Sequence, residues 1–299
     1  MTSSSRPSRP TSGPLAGGAW RPVAPDELLI RDSSAKDGQD GEADVAPRPP
    51  VLHRRQELEQ LLRQGTADPQ PYIELARIYR EEDRLPHAIR VLERAVEILP
   101  EEPSVIWEYE EARLERSYQR LREAERVQEL RGDPASYEEV ERCELEWANR
   151  RLEVARARLQ RNPRDHHLCV VMGRALRELG RPAEAIDALN PALEDRAEGP
   201  TAWLLRGECL EDMHRPLEAL AAYRAAGIRR AVAIPRTVRC AALASATSLA
   251  GRLGLSLSAA RYLAAFEQLS PDDPKLPALR QLVRDAPHVF ESQDAASDR

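Results

Sequence analysis

The sequence predicts an all-α fold built from stacked helix-turn-helix units. Three observations predict it: a set of large and small apolar residues that returns at a fixed spacing, helical periodicity through the middle of the chain, and a scarcity of aromatic residues, 4% of 299. β-Sandwiches and barrels draw heavily on aromatic and β-branched side chains, so two phenylalanines and four tryptophans count against them. A charged fraction of 31% implies a large solvated surface, which elongated helical arrays possess. No stretch approaches the roughly 20 apolar residues of a membrane-spanning helix, so no membrane insertion is expected. The first twenty residues lack the apolar core of a signal peptide, and a cytoplasmic location is expected.

Residues 1–50 are rich in Ser, Pro and Gly and offer too little apolar surface to offset ordering, so a disordered tail is expected there. Residues 51–68 hold a short cap helix marked by Leu58, Leu61 and Leu62 and stopped by Gly65. The first full unit occupies 69–102, where Tyr72, Leu75, Ala76, Tyr79, Ala88, Leu92, Ala95 and Pro100 alternate large and small on two amphipathic stretches. Small residues at Ala76 and Ala88 let the two helices approach closely, and Ala95 leaves room for the next unit. Pro100 ends the second helix, because it lacks an N–H and its ring clashes one turn back.

Residues 103–165 are longer than a unit should be. Ala88 and Ala185 are 97 residues apart, which exceeds two 34-residue units by 29. A turn sequence, Arg131-Gly132-Asp133-Pro134, stands midway. Both helices of this repeat are therefore predicted to be longer by about 15 residues, projecting roughly 20 Å at 1.5 Å per residue. Trp107, Leu114 and Leu121, with Tyr118 between, mark the first arm; Leu145, Ala148, Leu152, Ala155 and Leu159 mark the second. These stripes predict a protruding antiparallel hairpin of coiled-coil type. From Glu101 to Asn162, 16 acidic and 12 arginine residues are expected to cover its other faces.

The unit returns at 166–199 with Cys169, Met172, Gly173, Leu176, Ala185, Leu189 and Ala192, and at 200–233 with Trp203, Gly207, Leu210, Ala219, Tyr223 and Ala226. Ala185 and Ala219 are 34 residues apart. Two residues break the pattern: Pro191 is expected to kink the second helix of its unit, and Arg206 stands where an apolar side chain is expected. A degenerate fourth copy at 240–273 shows Leu243, Gly254, Ala259, Leu263 and Pro271, with Phe266 replacing a small residue. Leu276, Leu279 and Leu282 mark a cap helix over 274–286, and residues 287–299 are expected to be a second disordered tail.

Over residues 69–102 and 166–273 this pattern resembles the tetratricopeptide repeat family. The resemblance implies a right-handed superhelix, an α-solenoid, whose concave wall is lined by the first helix of each repeat and holds a peptide or helix of a partner. The matching positions here are Ile73, Arg77 and Arg80, then Val170, Arg174 and Arg177, then Leu204, Glu208 and Glu211. An apolar row flanked by arginines would suit an acidic, partly hydrophobic segment. One subclass grips a C-terminal carboxylate through Lys and Asn side chains; these positions offer arginines and no asparagine, so that clamp is not expected.

No Gly-rich phosphate loop, GxSxG, HExxH or CxxC occurs, so no catalytic residue, cofactor or metal is expected. His166 and His167 are adjacent and do not share a helix face. Cys143, Cys169, Cys209 and Cys240 are widely separated and read as reduced thiols. The function expected is a non-enzymatic adaptor for protein partners. Two alternatives keep the same fold: an RNA-binding repeat protein, which the net charge of -6 disfavours, and a structural protein that forms homo-oligomers through the hairpin. Arg229, Arg230, Arg236 and Arg239 form a second basic cluster, read as part of a polar connector.

Overall fold

A computed structural model describes residues 50–228 and 234–285. The expected tails at 1–50, save Pro50, and at 287–299 lie outside the described residues, as do Arg229 and Arg230. Among the described residues the chain forms α-helices in succession and no strand: α1 (Pro50–Gln64), α2 (Gln70–Glu81), α3 (Leu85–Ile98), α4 (Pro103–Arg131), α5 (Pro134–Arg161), α6 (His166–Glu178), α7 (Pro182–Leu189), α8 (Gly199–Asp212), α9 (Pro216–Ile228), α10 (Arg236–Arg252), α11 (Ser256–Leu269) and α12 (Leu276–Asp285). Each packs on the next, so the chain builds an α-solenoid of antiparallel pairs.

Prolines punctuate this array. Pro86, Pro103, Pro134, Pro182, Pro200 and Pro216 each sit in the first turn of a helix. There the fixed φ suits the helix and the missing N–H would have had no partner anyway. Four of the turns inside the pairs share one geometry. Asp83, Gly180, His214 and Gly254 are left-handed, with φ of 57°, 71°, 58° and 71°. The residue after each donates its N–H five residues back: Arg84 to Tyr79 at 2.7 Å, Arg181 to Leu176 at 2.9 Å, Arg215 to Leu210 at 2.8 Å and Leu255 to Ala250 at 2.9 Å. That closure satisfies carbonyls that the helix end would leave bare. The pair α10/α11, degenerate in sequence, turns in the same way as the regular ones.

Between the helices of each pair the small residues face large ones. Ala76, Ala88, Ala95, Ala185, Ala219, Ala226 and Ala259 are buried, with Tyr72, Tyr79 and Tyr223 beside them. A side chain at Gly173 would place its Cβ 2.6 Å from Leu189, and one at Gly207 would place it 2.5 Å from the Tyr223 ring. Pro191 acts differently from the kink the sequence suggests. Helix α7 stops after eight residues at Leu189, and Asn190–Ala192 follows as a single 3₁₀ turn. The proline ring cannot sit one turn into a continuing α-helix, so the chain tightens instead. Arg206 keeps its charge at the surface by lying over the Trp203 ring, 5.6 Å from its centroid, and donating to Asn190 Oδ1 at 2.7 Å. At the far end Phe266 fills the space under α12 with Leu243, Leu276 and Leu279.

The long pair α4/α5 is an antiparallel hairpin with arms of 29 and 28 residues. Gly132, at φ 60°, makes its turn, and the Asp133 carboxylate caps α5 by accepting the Ser136 N–H at 2.8 Å. Its seam keeps only part of the stripe that the sequence suggests, with Leu121 and Ala148 buried in it. The residues closing it are Leu121, Ala124, Val140 and Cys143, with Ala112, Ser117 and Ala148 buried below, whereas Trp107, Tyr118 and Leu145 are each about half exposed. Charge pairs fix the register instead: Arg120 with Glu146 at 2.6 Å, Arg113 with Glu153 at 2.9 Å, and Glu110 with Arg158 at 2.9 Å and with Arg161. The seven-residue step lies in Arg113 and Arg120, one position ahead of the leucines. Small side chains between the arms bring the backbones close enough for these arginines to cross.

Candidate functional site

The first helices of the pairs, α2, α4, α6, α8 and α10, form one wall of the array. Their charged side chains are joined from repeat to repeat. Arg77 pairs with Glu108 at 2.8 Å, and Arg80 pairs with Glu108 at 3.1 Å and Glu115 at 2.7 Å. A similar arrangement recurs where Arg177 pairs with Glu208 at 2.6 Å and Asp212 at 2.7 Å. In both places offsets of 31 and 35 residues join an arginine to an acid one repeat along. Glu211 accepts from the Tyr223 hydroxyl at 2.8 Å and pairs with Arg252 of α10.

Burial shapes the ionisation of this ladder. Desolvation raises the Glu208 carboxyl above its ordinary range, with the charges of Arg177 and Arg174 offsetting only part of it and those of Asp212 and Glu211 adding to it. Burial likewise pushes the Cys209 thiol up to about 11, away from thiolate chemistry. Cys143 and Cys169 are raised by the same cause. At the start of α6, His166 meets Asp195 at 2.9 Å and His167 meets Glu198 at 3.2 Å. Among the described residues no group of three or more His, Cys, Asp or Glu is placed to hold a metal ion, and no helix is long and apolar enough to cross a membrane.

The residues that the sequence places on the concave wall divide into three sets. Ile73, Val170 and Leu204 are buried in the packing between repeats, so no open apolar row runs along the wall. Arg77, Arg80, Arg177, Glu208 and Glu211 are taken up by the ladder. Arg174 remains exposed and makes no ion pair among the described residues. It lines a groove of about 670 Å³ that opens where the wall is interrupted.

The interruption comes from the long hairpin. Backbones meet between α2 and α4, between α6 and α8 and between α8 and α10, but not between α4 and α6. The face of α5 shows through the gap. Leu121, Leu145 and Trp147 give the groove its apolar surface, Arg174 and Glu178 stand on the α6 side, and Glu141 and Glu144 stand on the hairpin. Trp147 is held in place from two sides. Tyr118 lies 5.4 Å from it between ring centroids at 49°, and the Arg151 guanidinium sits 5.0 Å over its ring. Arg151 in turn pairs with Glu178 across the groove floor. The sequence marks Leu121 and Leu145 only as seam residues and assigns Trp147 nothing. Their shared face appears once the register of the arms is fixed by the arginine pairs.

Stacked antiparallel pairs with a small-for-large exchange at each contact define an α-solenoid of helical repeats. Residues 170–232 match the family model of the tetratricopeptide repeat. Among solved structures, it is similar to YrrB, described as a TPR protein with an unusual peptide-binding site, at 17% identity over 76% of this chain and 99% of that one, with a TM-score of 0.45. It is also similar to TTC0263, a thermophilic TPR protein of Thermus thermophilus, at 17% identity over 73% and 98% with a TM-score of 0.37. A third is the TPR2AB domain of yeast Sti1 in its pHSP90 complex, at 14% identity over 79% and 92% with a TM-score of 0.35. No curated protein sequence matches the chain.

Proposed function

We propose that this protein is a non-enzymatic scaffold that holds a segment of a protein partner against the wall of first helices, at the break between α4 and α6. The observation that carries this reading is the contrast within the wall. At α2/α4 and α6/α8 the wall's arginines and acids pair with one another and Ile73, Val170 and Leu204 are packed, while the break leaves Leu145 half exposed and Trp147 partly exposed beside Arg174, which has no ion pair among the described residues. A concave site with an apolar floor and few polar groups at its rim is the form that recognition sites take. The buried thiols, raised by desolvation, support a binding role over a nucleophilic one.

Site-directed photo-crosslinking tests it. A photoreactive side chain replaces Leu145 in the groove, and in a second protein it replaces Leu217, exposed on α9. The reading expects a discrete crosslinked protein from lysate at position 145 and none at 217. Equal, diffuse labelling at both positions, or none at 145, overturns it.

A further inference from the structure

We infer that the groove between the hairpin and α6 takes a dipolar segment of a partner protein, with basic side chains toward the hairpin tip, an apolar anchor in the middle and a carboxylate toward the array. This rests on the scaffold reading above and names the occupant. The argument starts from which charges in the groove are already spent. Arg151 is committed to Glu178 and to the Trp147 ring. Glu141 and Glu144 are exposed and without an ion pair among the described residues, as is Arg174. Two carboxylates, and one guanidinium whose charge also acts on Glu208 without pairing with it, are thus left to meet an incoming molecule.

Their positions give the occupant a direction. Helix α5 runs from the tip at Pro134 to the base at Arg161, so Glu141 and Glu144 precede Trp147 toward the tip. Helix α6 starts at the base and runs the other way, with Glu178 level with Arg151, which puts Arg174 one turn nearer the base. Ten residues separate Glu141 from the level of Arg151 and Arg174 lies about one turn further toward the base, so the free charges are roughly 20 Å apart along the helix axis. A partner helix of about fourteen residues, or about six extended residues, spans that length. Between the charged ends lie the half-exposed Leu145 and the partly exposed Trp147, which an aliphatic or aromatic side chain would cover. A polyanion such as RNA meets the two free carboxylates first, so the charge pattern opposes it. Charge complementarity in this order fixes register and orientation as well as attraction.

The test selects peptides from a random library against the full chain, then measures selected peptides by fluorescence anisotropy. Expected sequences carry Lys or Arg, an apolar residue and Asp or Glu in that order along the groove. Glu141→Lys with Glu144→Lys is expected to weaken them at least about tenfold, and Arg174→Glu to weaken them less. A peptide with Glu in place of its basic residues is expected to regain affinity for the doubly reversed variant. A merely structural effect would not produce that rescue. All three positions are exposed, and a thermal melt confirms that the variants stay folded.

Selected peptides that bind these variants unchanged overturn the dipolar occupant, and the scaffold reading then stands only if position 145 still crosslinks. If no peptide is selected while Leu145 still crosslinks to a protein, the dipolar occupant is wrong and the scaffold reading stands. Absence of both peptide and crosslink overturns the two together. A doubled mass in sedimentation that the charge reversal abolishes would give the groove to a second copy of this chain, against the partner assigned here.

Discussion

Glycine at 207 is required by a neighbouring side chain and not by its backbone. Its absent Cβ would lie 2.5 Å from Tyr223 Cε1, and that ring is buried with its hydroxyl bound to Glu211 at 2.8 Å. The ring cannot yield without losing this bond, so Gly207→Ala is expected to cost about 1–3 kcal/mol. Over an array of this size that is a fall of roughly 3–10 °C in melting temperature, read by circular dichroism. The small-for-large exchange was legible in the sequence, because Gly207 and Tyr223 recur where Gly173 and Leu189 do. The partners of polar residues were not, since they sit a repeat away with no local signature. Asp195 shows this. The backbone N–H of Glu198, then His166, then the N–H of Ala197 hold its carboxyl down at about 2, from an ordinary 3.8. A depressed folded-state pKa means that the unfolded chain takes up the proton first, so this contribution is present above pH 3.8 and is lost as pH falls toward 2. Asp195→Asn is therefore expected to lower the melting temperature at pH 7. The gap to the parent should close between pH 4 and 2, and a gap that stays constant to pH 2 would exclude the carboxylate as its source.

At the scale of the helix, the α4/α5 hairpin shows what periodicity reports and what it omits. Its existence followed from the 29-residue surplus and the Gly132 turn. Its seam followed only in part, at Leu121 and Ala148, because a seven-residue step among Trp107, Leu114 and Leu121 runs parallel to an equal step in Arg113 and Arg120. Apolarity alone favours the first row. The structure puts small residues between the arms and lets arginines cross, leaving Trp107 half exposed beneath Arg158, whose Cζ is 5.6 Å from the ring centroid. The strongest crossing is at the base. Glu110 has a side chain only 9% exposed and binds both Arg158 and Arg161. Replacing it with Ala leaves one guanidinium with Glu111 and frees the other to solvent, so the cost is below that of a wholly buried pair, about 1–3 kcal/mol. By contrast Arg122→Ala breaks an exposed pair with Glu125 and is expected to change stability by less than about 1 kcal/mol. Urea unfolding of the two variants checks the ranking, and equal midpoints would show that the base of the hairpin is not held by its charges.

For the molecule as a whole, the break in the wall has a mechanical consequence. In a solenoid, stability is a sum of units and of the contacts between neighbours. Most neighbouring repeats here are joined twice, through the second helix of one pair packing on the next first helix and through contact between the first helices themselves. At the hairpin the second connection is missing. Among the described residues the helices α1 to α4 reach the helices from α6 onward only through α5 against α6. Leu152 is the buried centre of that contact, packed with Ala175, Leu176, Ala185 and Cys209. Leu152→Ala removes its methyl groups and leaves a cavity, which costs about 2–5 kcal/mol for a buried leucine. Elsewhere in the array such a loss lowers the stability of a still cooperative stack. Here it acts on the sole coupling between two halves, so unfolding should divide into two transitions. Calorimetry is expected to show one peak for the parent and two for Leu152→Ala. Hydrogen exchange should place the earlier opening on one side of α5 and leave protection on the other. A control at Leu92, also buried but within the α2/α3 pair, removes a similar volume from inside one half. If Leu92→Ala divides the transition and Leu152→Ala does not, the hairpin is not the weak joint of the array, and the coupling between its halves must run through contacts other than those of α5.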